Sequence, residues 1–262
     1  MKLTDYILNL SQNGQHFFTS TQARESTQQS SAALQVNLHR LQEKRQIACP
    51  YRGFYLIVPP AYQSHGSLPA EQFIDDLMRY LALPYHVGLL SAAQYHGAAH
   101  QKVQQFQVVT SQYVKPITVG NIHIVFTVNH LLEKTPTQTI NTATGYLTLA
   151  TPEATAIELL QYSKRSGNID NIAMVLSELV EVISIEKLAQ CIHNMTPEIV
   201  TLQRLGYLFD FIESHEYANV IKNELSKHKL RTRQLVSGIS TKGTLRDRNW
   251  ELYINHNIEI DI

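Results

Sequence analysis

The strongest constraint on the fold of this chain is the spacing of three leucines ahead of two short apolar runs. Leu34, Leu38 and Leu41 recur at i, i+4 and i+7, the buried stripe of a helix that Ser30 or Ser31 caps. Gln35, His39, Arg40 and Gln42 are left facing outward. Lys44-Arg45 ends the helix, where cations suit the dipole. Ile47-Ala48-Cys49 and Phe54 to Val58 then read as two strands joined by the tight turn Pro50-Tyr51-Arg52-Gly53. Upstream, Leu3, Tyr6, Ile7 and Leu10 make a first helical face that ends near Asn13-Gly14. Phe17-Phe18-Thr19 is an extended entry, and Ser20 or Thr21 caps a short second helix to about Glu25. Three helices and a hairpin within residues 1–60 are the layout of a winged helix-turn-helix.

Charge agrees with a nucleic-acid role for that segment. The whole chain is formally neutral, so no global attraction to nucleic acid or membrane follows. Residues 1–60, however, carry Lys2, Arg24, Arg40, Lys44, Arg45 and Arg52 against Asp5, Glu25 and Glu43, a net of +3. The bland alternative is a small helical domain with a solvated basic face.

Beyond Pro59-Pro60, the polar stretch 61–69 reads as a linker and Pro69 to about Leu81 as a helix striped by Phe73, Ile74, Leu77 and Leu81. In Tyr85–Val109, Leu89, Ala92, Ala93 and His96 share one face of a small-residue helix that Gly88 opens and Gly97 closes. Gln105–Val109 then alternates as a strand. Lys115–Val128 is a hairpin across Gly120-Asn121, and Gly145–Leu149 is another strand. Thr151-Pro152-Glu153 starts a helix to about Tyr162, with a Thr cap, Pro in the first turn and an acid at the positive end. Helices follow over about 170–182, 184–193, 198–212 and 216–227, and Glu251–Asn255 is a last strand. The expected fold class is therefore α/β (α+β) in two domains. They are a winged helix-turn-helix over 1–60, a linker over 61–69, and a mixed domain over 70–262 with a small sheet and a helical bundle. A chain of 262 residues with 44% hydrophobic and 17% charged residues is long and apolar enough for two cores. Its two cysteines, Cys49 and Cys191, suit a reducing cytoplasm better than a disulfide framework. The first residues lack the apolar core of a signal peptide, and no run of about 18 apolar residues offers a membrane span.

Catalytic and metal patterns are weak. His86, His96 and His100 cluster in sequence, but no neighbouring Cys, Asp or Glu completes a ligand set, and Gly97 interrupts the helix. Gly66-Ser67 with Asp75-Asp76 faintly suggests a nucleotidyltransferase metal site. Adjacent acids diverge by about 100° on a helix, however, and share one metal poorly. No acid in the chain begins an E-x-K or D-x-K tripeptide, and no P-loop, G-x-S-x-G or G-x-G-x-x-G is present. Cys49 sits in an apolar strand without a patterned base. No catalytic residue, metal or cofactor is expected.

Six segments carry a family resemblance: YRGFYLIVPP (51–60), YHVGLLSAAQYHGAAHQ (85–101), FQVVT (106–110), TPEATAIELL (151–160), GNIDNIAMVLSEL (167–179) and QRLGYLFDFI (203–212). Together they cover nearly the whole chain, and the chain resembles the AbiEi family. These are the antitoxin and transcriptional-regulator halves of AbiE abortive-infection toxin–antitoxin systems. The resemblance implies a winged-helix DNA-binding domain, a C-terminal antitoxin domain and repression of the protein's own operon at repeated operator sequences. It also implies a nucleotidyltransferase-like toxin, opposed in type IV manner without a stable complex. By analogy, the C-terminal domain is a degenerate restriction-endonuclease-like fold.

On that reading the third helix enters the major groove of double-stranded operator DNA. Gln28, Gln29, Ser30, Ser31 and Gln35 are candidates for base edges, glutamine suiting adenine. Asn37, His39 and Arg40 lie further along, shared between phosphates and solvent. Lys44, Arg45 and Arg52 are placed for phosphates, Arg52 from the wing. The basic tail (Lys222, Lys227, Lys229, Arg231, Arg233, Lys242, Arg246, Arg248) is either a second DNA contact or a solvated face. Rival readings are a nuclease or other nucleic-acid-modifying enzyme targeted by the helix-turn-helix, and a transcription factor sensing a small ligand.

Overall fold

The computed structural model describes residues 1–98 and 104–260. The chain opens with α1 (Leu3–Gln12), β1 (Phe17–Thr19), α2 (Ser20–Thr27), α3 (Ser31–Glu43), β2 (Ile47–Tyr51) and β3 (Phe54–Ile57). The three strands form an antiparallel sheet in the order β1-β3-β2, with Phe17 opposite Leu56 and Tyr51 opposite Phe54. This element order and sheet are compatible with the expected winged helix-turn-helix. Leu3 and Tyr6 of α1, Leu34, Leu38 and Leu41 of α3, and Phe18, Ala23, Ile47 and Ile57 make one apolar core. Truncating any of these leucines would cost roughly 2–5 kcal/mol. The caps are local chemistry. Thr19, rather than Ser20 or Thr21, closes a capping box on α2: its hydroxyl accepts from the Gln22 N–H at 3.1 Å and its N–H donates to the Gln22 side chain at 2.8 Å. Ser30 caps α3.

After 3-10 turns at Pro60–Tyr62 and Ala70–Gln72 come α4 (Ile74–Tyr80), β4 (Tyr85–Val87), α5 (Leu89–Tyr95), β5 (Phe106–Thr110), β6 (Ile117–Val119) and β7 (Ile122–Val128). A further 3-10 turn precedes β8 (Thr137–Thr142) and β9 (Gly145–Ala150). The six strands form a mixed sheet in the order β6-β7-β5-β4-β9-β8, with β5 parallel to β7 and β6 antiparallel to it. The expected single helix over 69–81 is split, because Phe73 leaves helical geometry at φ −140°. Within 61–69, Ser67 and Leu68 are buried. Gly66 lies against the β6–β7 turn: a Cβ on Gly120 would come within 2.2 Å of the His65 carbonyl oxygen, so only glycine fits there.

Helices then dominate: α6 (Pro152–Gln161), α7 (Ile169–Leu179), α8 (Ile185–Met195), α9 (Ile199–Phe211) and α10 (His215–Leu225). A second small sheet of β10 (Arg233–Gln234), β11 (Leu245–Asp247) and β12 (Leu252–Ile254) follows, in the order β10-β12-β11. The residues fall into two packing units. One is Met1–His86, Gln104–His130 and Thr139–Thr148; the other is Val87–Val103, Leu131–Gln138 and Leu149–Ile262. In the second, every residue from Glu153 to Leu160 is buried, and α5, α7, α8 and α9 pack around α6.

Gly206 of α9 makes room for Trp250. An alanine Cβ there would lie 2.0 Å from the indole, which is 1% exposed and donates its N–H to Asp210 at 2.8 Å. Gly206→Ala is expected to destabilise the protein by about 1–3 kcal/mol, read from urea denaturation followed by Trp250 fluorescence.

Candidate nucleic-acid interface

The stripe that buries Leu34, Leu38 and Leu41 turns the opposite face of α3 to solvent. Ser31, Gln35 and His39 form one outward row and Ala32, Val36 and Arg40 the next, and all six are exposed. Val36 is 50% exposed although apolar. It sits about 160° around the helix from Leu34. Neither Val36 nor Ala32 stands among the expected contacts, all of which are polar. An apolar side chain placed opposite the core stripe was the available signal, and such a group suits the thymine methyl in a major groove.

The expected base-edge and phosphate residues differ in their freedom. Gln28 ends α2 in the left-handed region at φ 55° and is exposed. Gln29 is half-buried, and its side-chain oxygen accepts from Asn37 at 2.9 Å, so its carbonyl is already engaged in bracing the α2–α3 turn. The Ser30 hydroxyl accepts from the Ala33 N–H at 3.3 Å as the cap of α3. His39 lies 3.5 Å from Glu43, an acid on the same exposed face. Lys44 is exposed at the end of α3. Arg45, at φ 53°, donates to the Ser64 carbonyl at 3.4 Å.

Arg52 sits apart from α3, at the β2–β3 turn, and is exposed. That turn is braced. The Tyr80 hydroxyl donates to the Arg52 carbonyl at 3.2 Å, and Gly53 adopts φ +81° where a Cβ would approach the same hydroxyl to 2.8 Å. Beneath it, Phe54 stacks on Phe17 at 5.0 Å and meets Tyr80 at 5.4 Å. The structure thus groups Ser31, Gln35, His39 and Arg40 on one helix face, puts Gln28, Gln29 and Ser30 in the preceding turn, and holds Arg52 on a stiff hairpin.

The weaker chemical candidates have structural partners. His96 binds the Ala150 carbonyl at 2.8 Å, and burial lowers its pKa. His86 is buried, and His100 lies outside the described residues. Asp75 and Asp76 both pair with Arg79, Asp76 at 3.2 Å. Among the described residues, no group of three or more His, Cys, Asp or Glu is placed to hold a metal. No described helix is long and apolar enough to cross a membrane.

Residues 86–211 match the family described as AbiEi antitoxin C-terminal domain, which assigns the chain an antitoxin domain of the toxin–antitoxin, abortive-infection class. The match places this part of the chain in the AbiEi antitoxin family, and supports an antitoxin role with a toxin as partner. An antitoxin family suggests a protein that is not an enzyme. The crystal structure of the RV2827C protein from Mycobacterium tuberculosis is similar in fold at TM-score 0.63. It shares 15% identity, over 94% of this chain and 89% of that one. No curated protein matches.

Burial pushes the Cys191 thiol up to about 12, and the buried acids Glu153 and Glu158 act in the same direction; burial also raises Cys49. At pH 8 only about one Cys191 in ten thousand is then thiolate. Iodoacetamide is expected to modify half-buried Cys49 well before buried Cys191 in the native protein, and both alike in urea, read by peptide mass spectrometry.

Proposed function

We propose that this chain is both the antitoxin and the operator-bound repressor of a bacterial toxin–antitoxin operon, acting in the cytoplasm. Residues 1–60 are the DNA-binding module and the remainder carries the antitoxin activity. The toxin is nucleotidyltransferase-like and is opposed without a stable complex. The observation that carries the DNA half is the exposed face of α3 together with a braced hairpin tip bearing Arg52. A helix of 13 residues with one face fully committed to the core can lie in a major groove without unfolding anything.

Roles follow from position. Ser31 and Gln35, near the start of α3, are placed for base edges, with Val36 for a thymine methyl. Gln28 reaches bases from the turn. Gln29 and Ser30 position the helix through Asn37 and the cap, with the two N–H donors of the Gln29 amide and the Ser30 O–H left over. Arg40 on α3 and Lys44 and Arg45 just past its end meet phosphates, and Arg52 meets them from the wing. Glu43 beside His39 opposes phosphate at its own corner of the face, which favours base contacts from the first half of the helix and leaves the far end to Arg40, Lys44 and Arg45.

In operator binding across a salt series, Arg40→Ala and Arg52→Ala are each expected to weaken affinity and to lower the slope of log K against log salt by about 1. If neither changes affinity or slope, the DNA surface lies elsewhere. Co-expression with the neighbouring toxin tests the other half. These variants should still protect cells, since they leave the antitoxin domain intact, while de-repressing the promoter. Loss of protection in both would mean that antitoxin action needs the DNA face.

A further inference from the structure

In the second packing unit a cleft of about 830 Å³ opens between the start of α9, the segment from Lys229 to Ser237, and Tyr253 of β12. Four cations line it: Arg204, Lys229, Arg231 and Arg233. Among the described residues its only acidic lining residue is Glu198. Among the described residues none of the four cations forms an ion pair with a carboxylate, although Arg246 and Lys227 nearby in sequence both do. Arg204 is half-buried and its guanidinium is satisfied only by neutral acceptors, the Gln234 carbonyl at 2.9 Å and the Ser237 hydroxyl at 2.8 Å. Burial and the neighbouring Arg233 both loosen its hold on its proton, and Glu198 opposes them. Like charges held around a desolvated guanidinium are costly unless an anion completes them.

The walls are built. Gln203 is 1% exposed and donates from one nitrogen to the Arg231 and Trp250 carbonyls at 3.1 and 2.9 Å, tying the Arg231 backbone to α9. The Arg233 backbone is fixed by β10 pairing with β12. The start of α9 has no side-chain cap, so the first-turn N–H groups of Ile199 and Val200 add positive potential at the same wall. Ile199, Val200 and the Tyr253 ring supply an apolar and aromatic surface beside the cations. Guanidinium groups match phosphate oxygens in paired, directional hydrogen bonds, and an aromatic ring offers a face to a base.

We propose that this cleft binds a phosphorylated ligand of nucleotide size, with its phosphates on Arg204, Arg231, Arg233 and Lys229 and its base against Tyr253, Ile199 and Val200. The volume is in the range of small-molecule sites. The ligand is a free nucleoside polyphosphate or the 5′-phosphorylated end of a nucleic-acid strand. The site is separate from α3 and does not depend on the DNA-binding proposal.

The test is calorimetric titration of the full chain at low salt with the four ribonucleoside triphosphates, pyrophosphate, and a short single-stranded RNA with and without a 5′-phosphate. At least one nucleotide or the 5′-phosphorylated RNA should saturate. Preference for free nucleotides identifies the first source; a requirement for the 5′-phosphate on RNA identifies the second. Arg231→Gln with Arg233→Gln should weaken that binding at least about tenfold, both side chains being exposed and charge-assisted contacts strong. Glu198→Gln removes the one opposing charge and should tighten it by about threefold. Operator binding through α3 should be unchanged in both variants. No saturation by any phosphorylated probe at millimolar concentration overturns the proposal. So does binding that ignores all three substitutions, or binding of duplex DNA alone. If the double variant misfolds, the tightening in Glu198→Gln decides the matter.

Discussion

The second packing unit is organised by a helix that has no outside. From Glu153 to Leu160 every residue of α6 is buried, so the elements around it must supply apolar surface on all sides. α5 answers with Ala92 and Ala93, small enough for two helices to approach closely. α9 answers with Leu202, Leu205 and Phe209, and its remaining faces are then free to hold other things. One carries Gly206 under Trp250. The same side, one turn earlier, carries Gln203, which ties down the chain beyond α10; Arg204, about 100° further round, is left half-buried at the edge of a cleft. Glu153, buried with α6, is consistent with this order. Glu153 accepts from the Ser184 N–H at 3.0 Å, fixing the start of α8 against α6. A polar group taken that deep must be partnered, and the partner here is a helix terminus whose orphan donors need an acceptor.

A different logic holds residues 1–60. There the core is one-sided: α1, α3 and the small sheet share Leu3, Tyr6, Leu34, Leu38, Leu41 and Ile57. What α3 does not bury it displays. Bracing is concentrated just outside the displayed face, in the Thr19–Gln22 capping box, the Gln29–Asn37 bond and the Tyr80 hydroxyl beneath the Arg52 turn. On the proposed DNA-binding role, such a surface gains from having its mobile parts fixed before contact, since ordering them on binding costs free energy.

How much of this was legible in the sequence depended on whether a segment's pattern came from its own period or from distant partners. α1, α3, the β6–β7 hairpin, α6 with its Thr-Pro-Glu start, and α7 to α10 were readable because amphipathic spacing and caps are local. β8 was not, because Thr137–Thr142 is polar except for Ile140 and so has no alternation to read. β4 and β10 are too short to show a period, and they exist because neighbouring strands pair with them. The Pro69–Leu81 helix failed at Phe73, where local geometry broke a pattern that counted only apolar spacing. At the candidate interface the sequence located the helix, the turn and Arg52. It could not separate Gln29, engaged by Asn37, from exposed Gln28, nor single out Val36. The basic tail was visible only as a run of charges. That Arg231 and Arg233 face a cleft with Arg204, while Arg246 pairs with Glu251, is decided by packing against α9.

A chain with zero net charge thus concentrates positive charge in two separate places, and solvent treats them differently. The α3 face and the hairpin tip are exposed, so their attraction to phosphate is long-ranged, adds up over many contacts and is strongly screened by salt. The cleft holds a half-buried guanidinium between backbone and hydroxyl partners, where screening is weaker and geometry counts for more than charge number. The first arrangement suits a polymer presenting a regular row of phosphates; the second suits a compact anion that enters and is enclosed. Neutrality of the whole chain is then itself informative: one acid sits at each surface, Glu43 on the α3 face and Glu198 in the cleft, and most of the acids that cancel these cations lie elsewhere, leaving both surfaces with a local positive excess.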